Sequence, residues 1–332
     1  MIAAGVLMTI AANAATATLY SAGVRAWPVS SPPGSPYNFL TQPAGALFVG
    51  SHLWVGDGLQ SSRLDAFGTY MPMPGISTPY ASLNGYYSAA VTVPIQATGQ
   101  IAYDPVRRMA YSTERQSEGQ GVWRAQFDPL SERFMNGYAF ASGTLGGRRP
   151  TAAALGPDGQ LYVGFVTSSD IVRIPVNTLD DFTCLQFSVT TIGKSQFGNR
   201  IASLVFVGSN LYVAGKDGLG VIRNATACAS GCTAAQVPGS AFRVDNPGLT
   251  TDGADTIYYL RSNAVWRYTI STGAHVLFAN SGTFRDGTTT SFLFANGQTN
   301  TLQLDALGNL WVGDDPSDGI INLYGRIWFI QA

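Results

Sequence analysis

Charge is the first thing this chain is short of. Charged residues fill 12% of its 332 positions, roughly half the usual share of about 25%. Lysine is almost missing, with Lys194 and Lys216 its two examples, and glutamate is confined to Glu114, Glu118 and Glu132. The 19 basic and 20 acidic residues leave a net charge of -1. With no basic excess to neutralise phosphates, nucleic acid is not an expected partner. The loss of Lys and Glu removes two good helix formers, and the abundance of Val, Thr, Tyr, Phe and Gly favours strands and turns. Histidine is down to His52 and His275, and no G-x-S-x-G, H-E-x-x-H, Walker A or G-x-G-x-x-G context occurs. Hydrophobicity is not among the shortages. Apolar residues reach 45% and aromatic ones 11%, which supplies a large core and excludes intrinsic disorder.

Long apolar runs are also lacking. Residues 2–15 (IAAGVLMTIAANAA) form an apolar stretch ending in small residues, with Ala12-Asn13-Ala14 as an A-x-A-like cleavage site. It is too short to cross a bilayer as a helix, which takes about 20 residues. No later stretch reaches that length, so no transmembrane segment is expected. A basic flank is missing, since the first charged residue is Arg25. The expectation is a signal-like segment over 1–15 and a single domain over 16–332, secreted or periplasmic; a flexible apolar N-terminus is the plainer alternative. Of three cysteines, Cys228 and Cys232 lie four apart in ACASGCTA. In an oxidising compartment they suit a local disulfide that leaves Cys184 over, with Cys184 pairing to either of them as the alternative. Zinc is disfavoured, because neither histidine is near.

What the chain has is a repeat of roughly 50 residues. Its aromatic strands read LWVGD (53–57), MAYST (109–113), LYVGF (161–165), LYVAG (211–215), IYYLR (257–261) and LWVGD (310–314). Turn-forming segments precede them: VGSH, DPVRR, GPDG, VGSN, DGAD and DALGN. A third strand follows each, as SRLDAF, GVWRAQF, DIVRIPV, GVIRNA, AVWRYTI and GRIWFI, with arginine recurring at Arg124, Arg173, Arg223 and Arg267. Fourth strands are weaker, over 182–189 and 274–278 for instance. Six units of four short strands, without an amphipathic helix, predict an all-β, six-bladed β-propeller. The chain stops directly after the third strand of unit six. The strand-like segment 17–24 (ATLYSAGV) should therefore supply that blade's outer strand and close the ring.

Units such as LGPDGQLYV (155–163) and LDALGNLWV (304–312) resemble those of the NHL-repeat propellers. More loosely the chain is similar to the gluconolactonase and paraoxonase-like six-bladed propellers. The resemblance covers about residues 45–330 and carries architecture rather than activity. It implies a ligand face formed by the second-to-third loops and the segments leading into each blade. There the chain offers Gln100, Arg149, Asn199, Arg200, Asn246 and Asn300 as candidate ligand-binding residues. It also implies a calcium option, since lactonase-type propellers hold that ion with Glu and Asn/Asp oxygens. This chain has no glutamate before Glu114, and Asn199, Asn246 and Asn300 sit at different offsets from their turns. Asp314, Asp315 and Asp318 form the densest acidic cluster, readable as a metal site or as an Asx-rich turn.

The recurring aromatics Trp54, Tyr111, Tyr162, Tyr212, Tyr258 and Trp311 are expected to fill the gaps between blades. His52 and His275 are expected away from the channel mouth. The reading is an exported binding or interaction module for a protein, small-molecule or sugar ligand. A calcium-dependent lactonase or hydrolase and a carbohydrate-binding propeller are the alternatives.

Overall fold

The structure, a computed structural model, describes residues 17–22, 43–49, 52–57, 69–72, 98–114, 121–130, 133–141, 145–176, 190–196, 200–242, 248–261, 264–280, 284–285, 302–314 and 326–330. A first strand, β1 (Ala17–Ala22), is followed by six antiparallel units. Blade 1 holds β2 (Pro43–Val49), β3 (His52–Asp57) and β4 (Thr69–Pro72). Blade 2 holds β5 (Thr98–Asp104), β6 (Met109–Glu114), β7 (Gly121–Asp128) and β8 (Arg133–Ala141). Blade 3 holds β9 (Pro150–Leu155), β10 (Gln160–Phe165), β11 (Asp170–Pro175) and β12 (Thr190–Ser195). Blade 4 holds β13 (Ile201–Val207), β14 (Asn210–Gly215), β15 (Gly218–Ile222) and β16 (Cys232–Ala241). Blade 5 holds β17 (Leu249–Thr251), β18 (Thr256–Arg261), β19 (Ala264–Thr269) and β20 (Ala274–Asn280), with the short β21 (Phe284–Arg285) after it. Blade 6 holds β22 (Leu302–Leu304), β23 (Leu310–Asp314) and β24 (Arg326–Ile330).

The first strands of successive blades touch in the order β2, β5, β9, β13, β17, β22, and β22 returns to β2. That closed cycle makes a ring around one axis, the geometry of a β-propeller. The closure foreseen for the chain's head is present. β1 runs antiparallel to β24, with Ala17 opposite Ile330, Thr18 opposite Phe329 and Ala22 opposite Arg326. Two placements differ from the sequence reading. The third strand of blade 1 is β4, and the expected segment 62–67 lies outside the described residues. The outer strand of blade 3 is β12, and the expected 182–189 likewise lies outside them.

Burial follows radial position. β9 and β10 are buried along nearly their whole length, because a neighbouring blade covers each face, whereas the outer β16 alternates with exposed residues. The core is accordingly a series of layers between blades. One layer joins Tyr111 and Phe140 of blade 2 to Leu161, Val163 and Phe165 of blade 3. Others join Tyr162 to Leu204 and Leu211, Tyr212 to Ile257 and Tyr259, and Tyr258 and Leu260 to Leu310 and Ile330. The recurring aromatics described here are core, from Tyr162 and Trp311 at 0% exposure to Tyr258 at 9%. They meet other rings edge-on: Tyr162 with Phe206 at 4.8 Å and Trp311 with Phe48 at 6.1 Å.

Four of the turns before these aromatics are held by aspartates. Asp104 Oδ1 accepts from the backbone N–H of Val106 and Arg107, and Asp252 Oδ1 from those of Ala254, Asp255 and Thr256. Asp305 accepts from the N–H of Leu307 and Asn309, and its Oδ2 takes the indole N–H of Trp311 at 3.2 Å. In blade 3 the Tyr162 hydroxyl donates to Asp158 Oδ2 at 2.9 Å. At Asp158 and Asp305 a single carboxylate thus folds the turn and anchors the aromatic that follows it.

Candidate functional site at the channel mouth

Strand direction sorts the chemistry between two faces. First strands descend from the face where each blade begins, and second strands climb back to it, so that face collects the lead-in segments and the second-to-third loops. In blade 3 it holds Arg148, Arg149, residues 166–169, Asp170 and the end of β12. In blade 4 it holds Arg200, Lys216 and Asp217. Backbone bonds fix these pieces: Val166 N–H donates to the Arg149 carbonyl at 2.9 Å, Ser195 N–H to Ser169, and Lys216 N–H to Arg200.

The side chains form a connected polar surface. Asp170 lies 3.6 Å from Arg148 Nη1 and 4.0 Å from Lys194 Nζ. Arg148 also donates from Nε to the Leu145 carbonyl at 2.8 Å and stacks its guanidinium 4.5 Å from the Phe165 ring centre. It is therefore a fixed cation. Arg149 and Arg200 are exposed at the starts of the two adjacent inner strands β9 and β13, which places them beside the axis. Thr151, two residues after Arg149, donates its hydroxyl to the Ile201 carbonyl at 2.6 Å and locks the two strands together.

Gln100 behaves differently from a rim residue. It is 6% exposed, and its amide is engaged by the backbone of two other blades. Oε1 accepts from Ala153 N–H at 3.2 Å and Leu204 N–H at 2.8 Å, and Nε2 donates to the Leu204 carbonyl at 2.8 Å. The side chain staples blades 2, 3 and 4 at the axis. The inner strands come close enough there that a Cβ on Gly99 would collide with Thr113 Oγ1 and the Thr151 carbonyl. Asn199, Asn246, Asn300, Asp315 and Asp318 lie outside the described residues, and Asp314 is the last residue of β23. Among the described residues no group of three or more His, Cys, Asp or Glu could hold a metal ion.

Lys194 is the member of this surface that the sequence did not announce. It is the penultimate residue of β12, which was expected several residues earlier. His275 lies in the outer β20, as anticipated. Its Nδ1 is 2.9 Å from the Tyr259 hydroxyl and its Nε2 is 2.8 Å from the Pro238 carbonyl, both structural contacts.

The cysteines lie in blade 4, beyond the end of β15. Cys228 and Cys232 are disulfide-bonded, with Cα atoms 6.4 Å apart. Cys232 opens β16, which pairs in parallel with β12 of blade 3, Gly193 opposite Cys232. Blades 3 and 4 thereby share one eight-stranded sheet.

No family model matches this sequence, and no curated protein matches it. Solved structures do. A glucose dehydrogenase superposes with a TM-score of 0.55 at 9% identity, over 96% of this chain and 99% of that one. An auxiliary nutrient binding protein from Bacteroides thetaiotaomicron VPI-5482 gives 0.53 at 12% identity, over 88% of this chain and 69% of that one. The fold is a β-propeller. The extracellular domain of a hybrid two-component system from B. thetaiotaomicron gives 0.50 at 13% identity, over 90% of this chain and 33% of that one. At such identities the shared property is architecture, which hosts many chemistries. Among the described residues no helix is long and apolar enough to cross a membrane.

Proposed function

We propose that this β-propeller is an exported binding module whose ligand sits on the channel-mouth face, above blades 3 and 4. One observation carries the reading: two adjacent inner strands begin with exposed arginines, Arg149 and Arg200, on loops tied down by backbone hydrogen bonds. The opposite face uses its aspartates differently, as turn caps at Asp104, Asp252 and Asp305. Exposed cations carried on backbone-held loops are what such a binding site needs, because little ordering of the backbone remains to be done when the ligand arrives. Export agrees with the disulfide, which persists in oxidising compartments.

The test is a thermal-shift screen of sugars, small acids and peptides, with and without calcium, on the wild type, Arg149→Ala, Arg200→Ala and Arg223→Ala. Arg223 is exposed on the other face. Ligand-induced stabilisation should fall in the first two variants and persist in the third. Stabilisation that survives at the mouth and vanishes with Arg223 would contradict the reading. Turnover of lactones or esters that requires calcium would replace it with the hydrolase alternative.

A further inference from the structure

One sector of the mouth face is rich in cations. Among the described residues, blades 3, 4 and 5 bring Arg148, Arg149, Lys194, Arg200, Lys216 and Arg261 to it, against the two carboxylates Asp170 and Asp217. Both lysines of the chain fall in this sector. For a chain of net charge -1, this is a local concentration of cations and not an overall excess.

Resting on the binding-module reading, we infer that the ligand is an acidic polysaccharide lying across blades 3 to 5. The cations run from the axis, at Arg149 and Arg200, to the rim, where Lys194 is 71% exposed. Packed sheets stand about 10 Å apart, so one small anion reaches only one or two of these cations, whereas a chain with repeated charges reaches them all. Arginine forks match carboxylate and sulfate oxygens. Between the cations lie Thr167, Ser168 and Ser169. The hydroxyls of Thr167 and Ser168 accept from Arg149 N–H and Asp170 N–H and retain their own donor capacity. Alternating charge and hydroxyl is the pattern of a charged glycan.

Affinity electrophoresis tests this with polygalacturonate, dextran sulfate and neutral dextran on the wild type and on R149Q/R200Q/K216Q, folding being checked by its melting curve. Retardation by at least one polyanion, none by neutral dextran, and a loss of about tenfold or more in the triple variant are expected. Which polyanion binds more tightly separates a uronate from a sulfated source. Replacing the same three positions by Arg149→Lys, Arg200→Lys and Lys216→Arg keeps the charge and should keep most of the binding. Equal binding of neutral dextran, undiminished polyanion binding by the triple variant, or tighter binding of an oligonucleotide or polyglutamate would overturn the inference. A neutral ligand lost on Arg149→Ala would overturn it alone and leave the binding-module reading standing.

Discussion

At the residue scale the molecule depends on polar side chains that satisfy backbone groups of other blades. Gln100 is the clearest case. Gln100→Ala would orphan two buried N–H groups and one carbonyl, so a loss of about 2–4 kcal/mol is expected, read by urea denaturation. A loss within the scatter of surface substitutions would contradict the staple. Tyrosines make a second case. Burial, with smaller opposing effects of Asp104 and Arg124, pushes the Tyr111 hydroxyl up to about 12. In Tyr162 burial again dominates; a hydrogen bond donated by Arg173 pulls the pKa down and the one the hydroxyl donates to Asp158 pushes it up, leaving it at about 12. These phenols stay neutral in the fold while unfolded ones ionise near pH 10. The stability they lend is complete below pH 10 and lost as pH climbs from about 10 towards about 12. Phenolate absorbance should rise together with unfolding in that window, and smooth titration of every tyrosine in a folded protein would contradict it. Asp252 works in the other direction. Burial raises its pKa, but hydrogen bonds from Ala254, Thr256 and Asp255 outweigh that and hold it below the usual carboxylate range. Its contribution is therefore present above about pH 4 and lost as pH falls further. The melting-temperature gap between wild type and Asp252→Ala should close under acid.

At the element scale, what could be read in the sequence was whatever repeats. Turn aspartates, second-strand aromatics and third-strand arginines recur, and the structure places Tyr111 opposite Arg124, Tyr162 opposite Arg173 and Tyr258 opposite Arg267. Outer strands were harder to place. β12 (TTIGKS) lacks the aromatic signature because half of it faces solvent, and what holds it is partly β16 of the next blade, a contact no local pattern encodes. The site suffered for the same reason. Arg149 and Arg200 were legible as lead-in residues, but Lys194 was hidden with its strand, and Gln100 looked like rim because burial at the axis depends on three blades at once. The β12–β16 seam carries its own prediction. Cys228 Sγ lies 3.1 Å from the Ile192 carbonyl, and the disulfide closes the bend that feeds β16. Reduction, or Cys228→Ser with Cys232→Ser, should speed amide exchange in 190–195 and 232–234 ahead of the inner strands. Uniform exchange across blades 3 and 4 would argue against a seam held there.

At the scale of the whole molecule, stability and the proposed binding site depend on the same closure. Each core layer lies between two blades, so an open ring exposes one layer's worth of apolar surface and lets the lead-in segments move apart. The ring holds Arg149 and Arg200 side by side, and β1 is the strand that seals blade 6 through β24. Blade 6 reaches blade 1 directly, through Trp311 against Phe48. The most direct measurement is equilibrium urea unfolding of the chain with residues 1–22 removed, compared with the intact protein. The account predicts a much lower midpoint and a shallower slope, since less surface remains to be exposed cooperatively. An unchanged midpoint and slope would show that the ring closes without its first strand.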